Sequence, residues 1–537
     1  MTIKSFFLLG ENASTAQEIE VDFTHDIDTL KEDVGQYFGV AVPSGIAFQS
    51  GETQLVDLAD VEEAKSPIAI TIDGHEAREP PGPRGVPIAG SYLEVYPDHL
   101  GNHQRMFESY GPVIKTTDMG RTTYYTNSPE IANICFGEGG YWAKMINKDH
   151  PLYQIKEPMA GVFLSDSNTE AWTIVHRFLA PALSPKAVRH YTPQMQKTAE
   201  LSFKMGSTAI GKLALGIDLH HFDSVDAPLH ELVVKVGKNL ELNKKVSTRG
   251  DWYSHLPFGE PKELRDTKAR LNQLMQEAIE KAKNEGAEDL PISEAALKAD
   301  CIADYLARAV DQDGNKMPEK YQTPATLVAV GAGFVTTASL LSWLIYGLVQ
   351  YPGNQERLLQ ELVDYGVHDK TTWTPDLANA LPFLDMYIKE TQRLHNPSYQ
   401  PGRTALSDTI LPGGYKIPKD AVMIVAIHHI HNNPAVWEDP HKFNPDRWST
   451  KAAKNRPKGS YVPFAAGPRM CIGFNFALQE VRVILSELIY RYEFTRASSE
   501  EVEYDPSFQL IRPMNLFVRA KRRTTWPDKK EDKSAEA

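Results

Sequence analysis

Hydrophobic positions along this chain follow two periods, and the change between them divides it. Over residues 1–74 short extended runs predominate: Lys4–Leu9, Glu18–Phe23, Ile46–Gln49 and Ile68–Asp73 read as strands. One segment starting near Asp26 places Ile27, Leu30, Val34 and Phe38 on a single helical face. Residues 75–85 break both periods, and Glu76–Gly85 (EAREPPGPRG) reads as a proline-rich linker. From residue 86 to 522 helical periodicity prevails, with extended segments at Val113–Tyr125 and Asp408–Val425. Residues 523–537 are polar and are expected to form a disordered tail. The pattern predicts a large, mainly α domain with smaller sheets, preceded by a small α+β domain.

Thr323–Gln350 is the one long uncharged run, and by length it could cross a bilayer. It contains Gly331, Gly333, four threonines and two serines, with no basic flank, so it is expected to be a helix buried in a large core. Phe6–Leu9 is too short for a leader, so no transmembrane anchor is expected. Three cysteines (Cys135, Cys301, Cys471) are too few for a disulfide framework and point to a reducing interior. The expected location is cytoplasmic, with peripheral contact to an intracellular membrane as the variant.

Charge sharpens the division. The chain carries −13, which argues against a nucleic-acid partner. Residues 1–74 hold three lysines, no arginine and fourteen acidic residues, so −11 of that charge lies in the small domain. A basic protein partner for that domain is the corresponding expectation.

Chemistry concentrates in Phe464-Ala465-Ala466-Gly467-Pro468-Arg469-Met470-Cys471-Ile472-Gly473. Gly467-Pro468 turns the chain ahead of Cys471. Gly473 removes a side chain just after it, where a flat ligand could approach the backbone. A helix reads from Ile472 onward, and a thiol at a helix N-terminus is favoured as thiolate. Arg469 supplies a fixed positive charge for a carboxylate. The stretch matches the F-x-x-G-x-R-x-C-x-G signature, and the chain resembles the cytochrome P-450 superfamily. That resemblance implies haem b (iron protoporphyrin IX), with Cys471 as the axial metal ligand and Phe464 and Gly473 beside the macrocycle.

Further elements match the same family. Trp172 and His176 form W-x-x-x-H, and Arg403 stands in Pro401-Gly402-Arg403-Thr404; with Arg469 these would bind the haem propionates. Glu390, Arg393 and Arg447 would form a buried structural network behind the cysteine loop. Ala332-Gly333-Phe334-Val335-Thr336-Thr337 resembles the oxygen-activation motif, with Thr336 steering proton delivery and Gly333 and Ala332 leaving room for dioxygen. The acid expected before the threonine is Val335, which leaves a peroxide-using or peroxide-rearranging enzyme as the alternative to a monooxygenase. A non-enzymatic haem-based sensor is a third reading. His428, His429 and His431 fit an ordinary segment of the family and read as structural.

Two segments look like the haem domains of self-sufficient fatty-acid hydroxylases: Gly161-Val162-Phe163-Leu164, and Gly120-Arg121-Thr122-Thr123-Tyr124-Tyr125. That likeness would set Phe163 over the haem, with Arg121 and Tyr125 on a substrate carboxylate. The substrate implied is hydrophobic, a long-chain fatty acid or another lipophilic metabolite. Nothing after the haem motif is long enough for a fused reductase, so a separate NADPH-dependent reductase or other electron donor is expected. The order of elements in residues 1–74 resembles the ubiquitin-like β-grasp fold, without a Gly-Gly terminus.

Overall fold

The computed structural model describes residues 2–201, 228–282, 288–398 and 401–530. Residues 531–537 of the expected tail lie outside them.

Strands β1 (Thr2–Leu8), β2 (Gln17–Val21), β3 (Ile46–Ser50), β4 (Thr53–Leu55) and β5 (Ile68–Ile72) form one sheet in the order β2-β1-β5-β3-β4. β1 runs parallel to β5, and the other neighbours are antiparallel. The helix Ile27–Phe38 starts at Asp26, whose carboxylate accepts from the Thr29 N–H, and ends at Gly39 in the left-handed region. Its Leu30 and Val34 are buried in one core with Phe6, Phe48, Ile68 and Ile70. This is the β-grasp order, a small α+β domain ahead of the larger one.

The larger domain is built on helices, and its core is one extended cluster threaded by the helix Glu319–Gln350. That helix is long and apolar enough to cross a membrane, but half of its most apolar window is buried inside the protein. The remaining strands are, in chain order, β6 (Val113–Asp118), β7 (Arg121–Thr126), β8 (Trp142–Ala143), β9 (Leu290–Pro291) and β10 (Ala309–Val310). They are followed by β11 (Gly402–Ala405), β12 (Thr409–Leu411), β13 (Tyr415–Ile417), β14 (Val422–Val425), β15 (Tyr492–Arg496) and β16 (Val518–Arg522). The main sheet has the order β6-β7-β14-β11-β8, with β9/β10, β12/β13 and β15/β16 as separate pairs.

The two domains are joined by more than a tether. The Ala41 N–H donates to the Ile410 carbonyl and the Ile410 N–H to the Gly39 carbonyl, 2.9 and 2.8 Å. Ile410, on the β12–β13 hairpin, is buried in the β-grasp core. Lys416 pairs with Glu11, and the Gly413 N–H donates to Asp73 at 2.9 Å. The proline-rich segment is pinned as well. The Arg78 N–H donates to the Gly414 carbonyl and the Lys115 N–H to the Pro81 carbonyl, and a Cβ at Gly82 would fall 1.9 Å from the Lys115 oxygen. The expected tail differs in its first half. Trp526 stacks on Tyr490 and donates to its carbonyl at 2.9 Å, so this part is held by aromatic burial that its polar composition hides.

Candidate active site

Four elements converge on one large cavity. The long helix Glu319–Gln350 contributes Ala332, Gly333, Thr336 and Leu340. The turn before the helix Phe474–Arg491 contributes Phe464, Arg469, Cys471 and Gly473. β11 brings Arg403, and the helix Glu170–Ala182 brings Trp172 and His176, four residues apart and therefore on one face. Every cofactor-binding and oxygen-side position named from the sequence lines this cavity.

Local geometry fixes the cysteine loop. Gly467 has φ +73°, and a Cβ there would sit 1.8 Å from the Phe136 carbonyl oxygen, so no other residue fits. The Cys471 N–H donates to the Phe464 carbonyl at 2.9 Å. A Cβ on Gly473 would meet no protein atom within 4 Å, and the space in front of it belongs to the cavity. Burial in these surroundings raises the Cys471 pKa, and a hydrogen bond from the Gly473 N–H opposes the rise without cancelling it. The Cys471 side chain is itself exposed, and a bound metal ion would favour its thiolate.

On the opposite wall, the Thr336 hydroxyl donates to the Ala332 carbonyl at 2.6 Å, one turn back in the same helix. Val335 points the other way and is 7% exposed, packed in the main core. An acid at that position would lose its water without gaining a place in the cavity lining.

The cation cluster is larger than the sequence suggested. Arg403 is buried; its Nη1 donates to the Gly402 carbonyl, and its Nε lies 2.7 Å from Glu138. Its Nη2 has no hydrogen-bond partner among the described residues. Arg469 lies over the Trp172 ring and donates to the carbonyls of Val162 and Ser165 at 3.0 and 2.8 Å. Burial pulls its pKa down to about 10. Lys144, which the sequence reading missed, is buried in the same lining; its Nζ donates to the Phe163 carbonyl at 2.6 Å and lies over the Phe163 ring. Burial holds the Lys144 pKa well below the ordinary lysine range, and Arg469 and Arg403 push it further down. Burial also lowers the His176 pKa, with Arg469 as the second cause. Lys144 follows β8, whose Ala143 pairs with Thr404 on β11, and only that register brings it beside Arg403. Three converging cations with one carboxylate in contact, and an arginine Nη2 left over, fit a ligand bearing carboxylates. The residues present therefore suit haem, with its two propionates.

Behind the cysteine loop, Glu390 is fully buried. It accepts from Arg393 Nε and Nη2, Arg447 Nε and Trp448 Nε1, each at 3.0 Å, and from the Asn444 N–H at 2.9 Å. Arg393 Nη1 donates to the carbonyls of His431 and Pro440. Burial lowers the pKa of His428, His429 and His431, and no metal-binding group of histidine, cysteine or acid side chains occurs among the described residues.

The proposed substrate residues do not stay together. Phe163 lines the cavity, and 44% of it is exposed. Arg121 and Tyr125 lie on β7 and are absent from the lining; Tyr125 is buried, its ring 4.3 Å from that of His103. The period-two pattern of the strand was legible, but which of its faces would reach the cavity was not.

Comparison with known proteins agrees with this geometry. The cytochrome P450 family model matches residues 80–518. The chain is 47% identical to cytochrome P450 monooxygenase alnD of Emericella nidulans, over 98% of this chain and 99% of that protein, a match that takes in the β-grasp domain. It is 30% identical to human cytochrome P450 4F3 over 65% of this chain and 72% of that one. Leukotriene-B4 omega-hydroxylase 3 of Mus musculus is 29% identical, over 69% and 76%. A crystal structure of the cytochrome P450DA heme domain superposes with TM-score 0.72 at 20% identity, covering 83% of this chain and 98% of that one, and so shares the fold. The chain belongs to the cytochrome P450 family of haem-thiolate monooxygenases, which bind haem b.

Proposed function

We propose that this chain oxygenates a hydrophobic substrate held between the long helix and the cysteine loop, with electrons from a separate NADPH-dependent reductase. The observation that carries the reading is the convergence of Cys471, Thr336 and an under-compensated cation cluster on one cavity. Haem supplies the oxygen chemistry when bound. The chain's own residues do the rest. Cys471 would ligate the iron, and Arg403, Arg469, Trp172, His176 and Lys144 would hold the propionates. Gly333 and Ala332 leave space on the helix wall. Thr336, whose hydroxyl donates to the Ala332 carbonyl within its own helix, would hand a proton to the reacting oxygen. Apolar walls exclude bulk water.

The long helix contributes no acid to the cavity lining, and that favours a second reading. With no acid beside Thr336 at the cavity wall, a peroxide-driven reaction that needs no proton relay from that position is the alternative. Product analysis separates the two. A lipid and fatty-acid panel should yield hydroxylated product with reductase and NADPH, and far less with hydrogen peroxide alone; the reverse would establish the peroxide reading. We place the protein in the cytoplasm with peripheral membrane contact. The β-grasp domain presents Glu18, Glu20, Glu32, Asp33, Glu62 and Glu63 to solvent, which suits a basic protein partner.

A further inference from the structure

The cavity lining has a second set of polar side chains besides those grouped around Arg403 and Arg469. It lies where the helices Glu231–Ser247 and Gly259–Ala282 pack against each other. Lys268 and Asn272 line the cavity from the second helix, one turn apart and thus on one face. Asn239 lines it from the first. The walls around them are apolar, with Leu152, Ile155, Val236 and Leu271 among the lining residues.

These three side chains have unused hydrogen-bonding capacity. Asn239 Oδ1, an acceptor, is buried and has no partner among the described residues, so it would take a donor from a ligand and not an anion. Lys268 makes no ion pair and no hydrogen bond among the described residues, whereas the three basic side chains nearest it on the same helix are engaged: Lys262 with Asp266, Arg265 with the carbonyls of Ser254 and Leu256, and Arg270 with Glu231. Burial lowers the Lys268 pKa, and Glu157, another lining residue that makes no ion pair with it, opposes that shift. A half-buried ammonium in an apolar wall is costly unless something anionic sits against it. The other cations of the lining, Lys144, Arg403 and Arg469, lie together at the cofactor end.

We propose that Lys268, with Asn272, binds the carboxylate of an elongated apolar acid, and so fixes which carbon of its chain reaches the reacting centre. This rests on the oxygenase reading above and narrows its substrate class to amphipathic acids. It also moves the carboxylate anchor from β7 to the helix Gly259–Ala282. Lys268 is a specificity residue here, acting on the substrate's head and not at the site of oxidation.

The test uses the haem-loaded full chain, with hexadecanoic acid and methyl hexadecanoate as probes. Affinities are measured by calorimetry, and hydroxylated positions by mass spectrometry. Removing a charge-assisted hydrogen bond in such a site costs about 1.5–3 kcal/mol, or roughly ten- to a hundredfold in affinity. Lys268→Met should therefore weaken the acid by at least about tenfold. The ester should bind it as it binds the wild type, and product should spread over more chain positions. Lys268→Arg should restore most of the affinity. Equal losses for acid and ester, or an acid preference that survives in Lys268→Met, overturn the proposal. So does a wild type that does not prefer the acid. The wild type is also run with reductase plus NADPH and with hydrogen peroxide alone: product with peroxide only means failure of the oxygenase reading, whereas the acid-against-ester affinities test the Lys268 anchor by themselves.

Discussion

The two sides of the cavity treat polar groups in opposite ways. Behind the cysteine loop, the Glu390 carboxylate accepts five hydrogen bonds, and Arg393 and Arg447 complete their own shells on backbone carbonyls. Between the two packed helices, Lys268 makes no ion pair or hydrogen bond and Asn239 Oδ1 has no partner among the described residues. Saturated groups hold a shape, and unsaturated groups wait for a ligand. The contrast separates substitutions that should change stability from those that should change only chemistry.

The largest expected effect lies in the saturated network. Glu390→Ala leaves Arg393 and Arg447 buried without their carboxylate, and should cost about 3–5 kcal/mol and the ability to retain haem. Thermal unfolding and haem content check this; a variant that melts like the wild type would mean the network is dispensable.

A middle effect is expected at the domain junction. Ile410 is 4% exposed and belongs to the β-grasp core although it stands on the β12–β13 hairpin of the larger domain. Ile410→Ala should destabilise the chain by about 2–4 kcal/mol. Because the hairpin links both cores, proteolysis should then release the β-grasp domain early. If the variant and the wild type are cut alike, the junction is only a contact and the two domains are independent.

The smallest effect on stability is expected at Thr336. Thr336→Ala removes a hydroxyl bound within its own helix, and should leave the melting temperature within about 1–2 °C of the wild type, as for a change below 0.5 kcal/mol. It should nonetheless divert reductant from product. Unchanged coupling would place proton delivery elsewhere and favour the peroxide route.

What the sequence made legible follows the same contrast. The cysteine loop and the Thr336 helix are each carried by residues close together in the chain, whose spacing constrains their geometry; in the Glu390 network only Arg393 is a near neighbour, and Arg447, 57 positions on, was legible through the family resemblance. The β-grasp order was also readable, because its strands and helix alternate cleanly. Lys144 was not, since its place beside Arg403 depends on a strand register between residues far apart. Nor was Lys268: it looks like any lysine of a charged helix until the packing of two helices turns it into a cavity. Arg121 and Tyr125 fitted a pattern, but Tyr125 is folded into the aromatic cluster around His103. The proline-rich segment looked like a tether because composition cannot show the backbone hydrogen bonds that pin Arg78 and Pro81.

The central claim is that Cys471 turns this cavity into a haem-thiolate site. The most direct measurement is the ferrous carbon monoxide difference spectrum of the wild type beside Cys471→Ala, with haem content measured on both. The account predicts the red-shifted thiolate band in the wild type and its loss in the variant. A variant that keeps that band would show that another residue ligates the iron and would contradict the assignment.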